Sequence, residues 1–233
     1  MNTSRPKVIL FDLDGTLVDT APDVHPAINA ALEEMGLPLL TFERARLAIG
    51  PGADSFVNII LGQVNENRLE EFLLHFRPLY YERCTDKSRP FPGIVDLLTT
   101  LQPDFRLGVA TNKGRRTTTR VLDVLALAPF FELVVCPDSV ERGKPAPDML
   151  LLAMDHFQVE PQQMLFIGDT DNDILAAKAA GVPCIAVTWG YADHAIIKAL
   201  NPDFIVDAPA EVLKLLGHTA DVTRHSFAGA PSL

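Results

Sequence analysis

Short apolar runs punctuate the chain, each closed by polar or turn-forming residues: Val8–Phe11, Leu107–Ala110, Leu133–Cys136, Leu165–Ile167, Cys184–Val187 and Phe204–Val206. Most lack the polar alternation of a strand with one wet face. They predict strands buried on both faces of a parallel sheet. Between the later runs the apolar spacing becomes helical. Val121, Leu122, Val124 and Leu125 share one face of Thr117–Leu127. Asp148–Phe157 and Asp173–Ala180 read the same way, the latter stopped by Gly181. A last helix is predicted over Ala210–Leu216. Strand alternating with helix implies an α/β fold with right-handed crossovers.

The first two runs are separated by far more chain than one crossover needs. Asp19 to Cys84 offers no strand and predicts helices over Pro22–Met35, Thr41–Ile49, Ala53–Leu61 and Glu66–Arg83, with breaks at Pro38 and Gly50-Pro51-Gly52. Residues 19–84 therefore read as a small helical domain inserted into an α/β core of residues 1–18 and 85–216. Arg89-Pro90-Phe91-Pro92-Gly93 reads as a stiff return link, and 217–233 as a loose tail. At roughly 150 residues per domain, 233 residues suit one core plus such an addition.

Composition narrows the partners. The formal charge is −10, which argues against nucleic acid and anionic membrane, since both reward net positive charge. No apolar stretch is long enough to span a bilayer, and no secretory leader is evident. Cys84, Cys136 and Cys184 are odd in number and widely spaced. They form no disulfide framework or zinc pattern and suit reduced thiols in a cytoplasmic protein.

In an open parallel sheet, ligands bind beyond the carboxyl ends of the strands. The first strand is followed there by Asp12-Leu13-Asp14-Gly15-Thr16 and the second by Thr111-Asn112. The third leads to Gly143-Lys144-Pro145, and the fourth to Gly168-Asp169-Thr170-Asp171-Asn172-Asp173. That many carboxylates repel one another unless a cation sits among them. Oxygen ligands without cysteine or histidine point to Mg²⁺ rather than zinc. Lys144 adds a charge for an anion, Thr111 a hydroxyl donor, and Gly15 a backbone free to turn closely. This equipment suits phosphoryl transfer.

These motifs resemble those of the haloacid dehalogenase (HAD) superfamily phosphatases. Phe11-Asp12-Leu13-Asp14-Gly15-Thr16-Leu17 resembles the first motif, Thr111 the second, Lys144 in Gly-Lys-Pro the third, and Gly168-Asp169 with Asp173 the fourth. Order and spacing match over residues from about 7 to 208. Asp12–Pro22, Gly143–Asp148 and Phe166–Gly181 are most similar to the phosphoglycolate phosphatase group. The resemblance implies a Rossmann-like parallel-sheet core flanked by helices, with the insert as a type-1 helical cap. It also implies roles. Asp12 would be the nucleophile that forms an aspartyl-phosphate, and Asp14 the acid and base. Thr111 and Lys144 would hold the phosphoryl group, with Gly15, Thr16 and Asn112 as further substrate-binding positions. Asp12, the backbone carbonyl of Asp14, and Asp169 would bind Mg²⁺, with Asp173 orienting the metal shell or the lysine.

The expected partner is a small phosphorylated metabolite, 2-phosphoglycolate first, and the chain a monomer or homodimer. A β-phosphoglucomutase-like transferase, a pyrophosphatase or nucleotidase of the same superfamily, a dehalogenase, and a non-catalytic binding protein are the alternatives. Several residues carry bland readings beside sharper ones. Thr111 also reads as a cap for the helix that follows, and Asp171 or Asp173 as a cap for the next. Lys113, Arg115, Arg116 and Arg120 read as a solvated basic helix face. Gly50-Pro51-Gly52 reads as a cap turn facing the site, and Arg44 and Arg46 as surface residues. Trp189, Tyr191 and His194 are candidates to line the site.

Overall fold

The computed structural model describes residues 6–50, 59–60 and 67–218. Its main sheet contains β1 (Val8–Phe11), β4 (Arg106–Ala110), β5 (Leu133–Val135), β6 (Met164–Gly168), β7 (Cys184–Val187) and β8 (Phe204–Val206). All pairings are parallel, in the order β5-β4-β1-β6-β7-β8. The runs predicted from the sequence are these strands, with ends shifted by a residue or so.

Continuous apolar strands bury both faces, and the pleat sorts them. Ile9, Phe11, Leu107, Val109, Ile167 and Val187 belong to one apolar cluster. Val8, Leu10, Met164, Phe166, Cys184 and Ala186 belong to the other. Successive side chains leave a strand on opposite sides, so each face needs its own helical layer. Helices α4 (Ile94–Leu101) and α5 (Arg115–Val124) contribute Leu97, Leu98, Val121 and Leu122 to the first layer. Helices α6 (Asp148–Phe157) and α7 (Asp171–Ala180) contribute Leu150, Phe157, Ile174 and Ala177 to the second.

The insert supplies α1 (Ala21–Glu34), α2 (Phe42–Arg46) and α3 (Asn67–Arg83). Val24, Ile28 and Leu32 of α1 join Phe72, Phe76 and Tyr80 of α3 in the first cluster. Most of the helix predicted over Ala53–Leu61, together with Pro51 and Gly52, lies outside the described residues, as do tail residues 219–233; Ile59 and Ile60 are helical.

The return link is more than a spacer. Its first two residues are β3 (Arg89–Pro90), antiparallel to β2 (Val18–Asp19), with Val18 opposite Pro90 and Asp19 opposite Arg89. Asp23 secures this base. It is buried and accepts from the Lys87 and Ser88 amides and from Ser88 Oγ, at 2.7–3.0 Å. Helices α8 (His194–Ala199) and α9 (Pro209–Leu215) follow β7 and β8.

β1 occupies the middle of the sheet. From its level the chain proceeds outward through β4 and β5, then crosses to β6 on the other side. This reversal leaves a crevice at the carboxyl ends of β4, β1 and β6, where open α/β sheets bind ligands.

Candidate active site

Register brings the acids together. Phe11 lies opposite Ile167 in the β1–β6 pair, and the Asp12 amide donates to the Ile167 carbonyl at 2.9 Å. Asp12 and Asp169 thus leave adjacent strands at the same level. Asp12, Asp169 and Asp173 each offer an oxygen, all within 4.8 Å of one another, and all three residues are buried. Lys144 reaches in from the loop after β5. Its ammonium donates to Asp12 Oδ1 at 2.7 Å and Asp173 Oδ1 at 2.6 Å, with a side chain only 2% exposed.

Asp173 serves two structures at once. Its Oδ2 accepts from the Thr170 amide at 2.9 Å and the Thr170 hydroxyl at 2.7 Å, forming a capping box at the start of α7. Its Oδ1 is left for Lys144. Asp173 therefore caps α7 and lies in the carboxylate cluster at the same time. Asp171 is the first residue of that helix and lies outside the carboxylate cluster.

The electrostatics show a shortage of positive charge. Burial, opposed by Lys144 and reinforced by Asp173 and Asp14, pushes the Asp12 carboxyl from its ordinary 3.8 up to about 7. Burial, then the charges of Asp173 and Asp12, raises Asp169 well above its ordinary value. Burial works to lower Lys144, but Asp12 and Asp173 outweigh it and hold the amine charged. One ammonium among three carboxylates leaves excess negative charge. The hard-oxygen donor set fits Mg²⁺ or a similar divalent cation.

Asp169 is fixed from behind. Thr16 Oγ1 donates to its Oδ1 at 2.9 Å, and the Tyr191 amide to its Oδ2 at 2.8 Å. Each oxygen retains a lone pair for a metal. Gly15, at φ +86°, passes so close that a Cβ there would lie 2.2 Å from Asp169 Oδ2. Gly15 and Thr16, expected from the sequence to meet substrate, both pack against Asp169 and, like Asp169 and Lys144, are not among the residues lining the cavity. Asn112 lines the cavity, but its side-chain oxygen and nitrogen are both engaged with the Lys144 backbone, at 3.0 and 2.9 Å. It positions the lysine loop.

Asp14 turns away from the other acids. Its Oδ1 accepts from Thr20 Oγ1 at 2.6 Å and from Lys113 Nζ at 2.8 Å. Lys113 is the residue sequence reasoning missed. Its side chain is 7% exposed, not solvated, and its ammonium also donates to Tyr80 Oη on α3 at 2.6 Å. Thr111 is buried and lines the cavity. It does not cap α5, whose N-cap is Gly114; its hydroxyl accepts from the Lys113 amide at 3.2 Å.

The cavity has a volume of about 630 Å³. Asp12, Asp14, Thr111 and Lys113 form part of its core side, and Phe76 and Tyr80 part of the inserted side. Gly50 also lines it, and a Cβ on Gly50 would approach Thr170 Cγ2 to 2.7 Å. Trp189, Tyr191 and His194 are not among the lining residues. Trp189 donates to the Thr16 carbonyl at 3.0 Å, and Tyr191 Oη donates to Asp19 Oδ1 at 2.8 Å while accepting from the Thr20 and Ala21 amides. His194 meets the Thr188 carbonyl at the surface. Arg44 and Arg46 are exposed.

A phosphoglycolate phosphatase 1 of Pseudomonas aeruginosa is 34% identical over 99% of this chain and 87% of its own length. An N-acetylmuramic acid 6-phosphate phosphatase of the same organism is 37% identical, covering 93% of this chain and 97% of that one. The crystal structure of a predicted phosphoglycolate phosphatase from Haemophilus somnus superposes with a TM-score of 0.84. It is 31% identical and covers 91% of this chain and 98% of its own. Residues 9–187 match the family model for haloacid dehalogenase-like hydrolases, and the chain belongs to that family.

Proposed function

We propose that this hydrolase is a Mg²⁺-dependent phosphatase. It cleaves a small phosphomonoester through a phospho-aspartate, with 2-phosphoglycolate the first substrate to test. The observation that carries this reading is the division among the carboxylates. Asp12 stands with Asp169, Asp173 and Lys144, while Asp14 is held apart by Thr20 and Lys113. A nucleophile needs cations about it, and an acid–base group needs to face the leaving oxygen.

Asp12, Asp169 and the backbone carbonyl of Asp14 would hold Mg²⁺, with Asp173 orienting the shell. Bound there, the ion supplies positive charge for the phosphoryl oxygens. Lys144 and Thr111 hold the same group. An Asp12 oxygen attacks phosphorus, the bond to the alcohol oxygen breaks, and Asp14 gives that oxygen a proton. Asp14 then takes a proton from water as the water attacks phosphorus, and the Asp12–phosphorus bond breaks. Asn112 fixes the Lys144 loop, and Thr16, Gly15 and Tyr191 fix Asp169.

Residues 19–84 serve as the cap that shuts water out during the first step. The chain acts in the cytoplasm as a monomer or homodimer. The free, buried cysteines and the lack of a membrane-spanning helix among the described residues accord with this.

One relative favours a second substrate reading, a sugar-acid phosphate such as the one in the name of the Pseudomonas protein 37% identical to this chain. Phosphate release from a panel of both classes, with Mg²⁺ or with EDTA, tests the proposal. Mg²⁺-dependent release from at least one carboxylated ester supports it. No release from any ester, or release undiminished by EDTA, contradicts it.

A further inference from the structure

Lys113 is a buried cation that the four motifs do not use. Its ammonium has three donors. Asp14 Oδ1 takes one at 2.8 Å and Tyr80 Oη another at 2.6 Å, and among the described residues no further acceptor is seen. The nitrogen also lies 4.5 Å from the Tyr80 ring centre, and Lys113 lines the cavity. A buried ammonium with a free donor calls for a further acceptor, because desolvation is costly where hydrogen bonds go unmade.

The two site lysines hold different acids. Lys144 is held by Asp12 and Asp173, on the side of the transferred phosphoryl group. Lys113 is held beside Asp14, on the side of the leaving oxygen. Arg77, Arg115 and Arg116 line the same cavity but are more exposed than Lys113. Arg115 pairs with Asp138 at 3.0 Å, the Arg116 guanidinium lies 3.8 Å from the Tyr81 ring centre, and Arg77 is exposed. A leaving oxygen within about 3 Å of Asp14, as proton transfer requires, brings a group one or two carbons further on within reach of Lys113.

We propose that Lys113, steered by Tyr80 of the insert, is a specificity-determining residue. It reads a carboxylate on the alcohol part of the substrate, close to the ester oxygen. The inference rests on the phosphatase reading and narrows its substrate class to phosphomonoesters of small hydroxy acids. Tyr80 comes from α3 and Lys113 from the loop before α5. The subsite is therefore complete only when insert and core are together, which ties recognition to exclusion of water.

The test compares 2-phosphoglycolate with 2-hydroxyethyl phosphate, which replaces the carboxylate by a neutral hydroxymethyl group. The readout is the ratio of their kcat/KM values. Damage to Asp14 positioning lowers both rates and cancels in the ratio. The wild-type chain is expected to prefer phosphoglycolate by at least about tenfold, the worth of one charge-assisted hydrogen bond. Lys113→Met should bring the ratio close to one, and Lys113→Arg should keep most of it. Tyr80→Phe retains the ring and the lysine charge; it should lower the ratio by about threefold, mainly through KM for phosphoglycolate. This milder variant decides the matter if Lys113→Met does not fold.

A wild-type ratio near one would overturn the inference while leaving the phosphatase reading intact. So would a ratio unchanged in folded Lys113→Met, or in Tyr80→Phe should Lys113→Met not fold. No phosphate from either ester or from p-nitrophenyl phosphate would overturn the phosphatase reading and this inference with it.

Discussion

Lys144 and Asp173 meet at 2.6 Å, and the same aspartate caps helix α7 through its other oxygen. The position of the helix and the position of the ammonium are thereby one geometric fact. Asp173→Asn keeps a residue able to accept one of these hydrogen bonds but removes its charge. Steady-state kinetics should show kcat lower by about 10- to 100-fold, with a higher Mg²⁺ requirement. Unchanged kinetics would mean that Asp173 is a helix cap alone.

Thr16 is buried, and its hydroxyl donates to Asp169. Thr16→Val keeps the shape and removes the donor, freeing Asp169 to tilt. Calorimetric titration should find Mg²⁺ affinity weakened by about tenfold or more, with Thr16→Ser near the wild type. Equal weakening in both variants would point to packing instead of the hydrogen bond.

Asp12 gives the pH dependence. Its folded value is raised from 3.8 to about 7. A raised carboxyl contributes to stability below its unfolded value, and that contribution is lost as pH climbs through the folded one. Without divalent ions, thermal stability should therefore fall between about pH 4 and pH 7, and this slope should shrink in Asp12→Asn. Mg²⁺ binds the ionised acids, so its gain in Tm should grow through the same window and level off above it. A Mg²⁺ gain equal at both ends of the window would contradict this assignment.

Much of the site was legible because its chemistry is local to strand ends. Asp12 and Asp14 directly follow an apolar run, Asp169 follows another, and Gly-Lys-Pro interrupts a loop. What the sequence hid was distant pairing. Lys113 looked like one member of a basic helix because its partners, Asp14 and Tyr80, are 99 and 33 positions away. Tyr191 buttresses Asp169 from 22 positions on, through a backbone amide that no side-chain pattern signals. The β2–β3 pair is two residues long on each side and contains Pro90, too short and too irregular for a period to show. Asp23, in the first turn of α1, drew no notice in the sequence because its partners, Lys87 and Ser88, are 64 and 65 positions away.

The attack of Asp12 on phosphorus is tested most directly by trapping the adduct. Asp14→Asn, mixed with Mg²⁺ and the best ester of the panel and quenched in acid, should gain the mass of one phosphoryl group, localised by peptide mapping to Asp12. Asp12→Asn should gain none and should lose about 10⁴-fold or more of the phosphate release. Undiminished turnover by Asp12→Asn, or an adduct on another residue, would contradict the account.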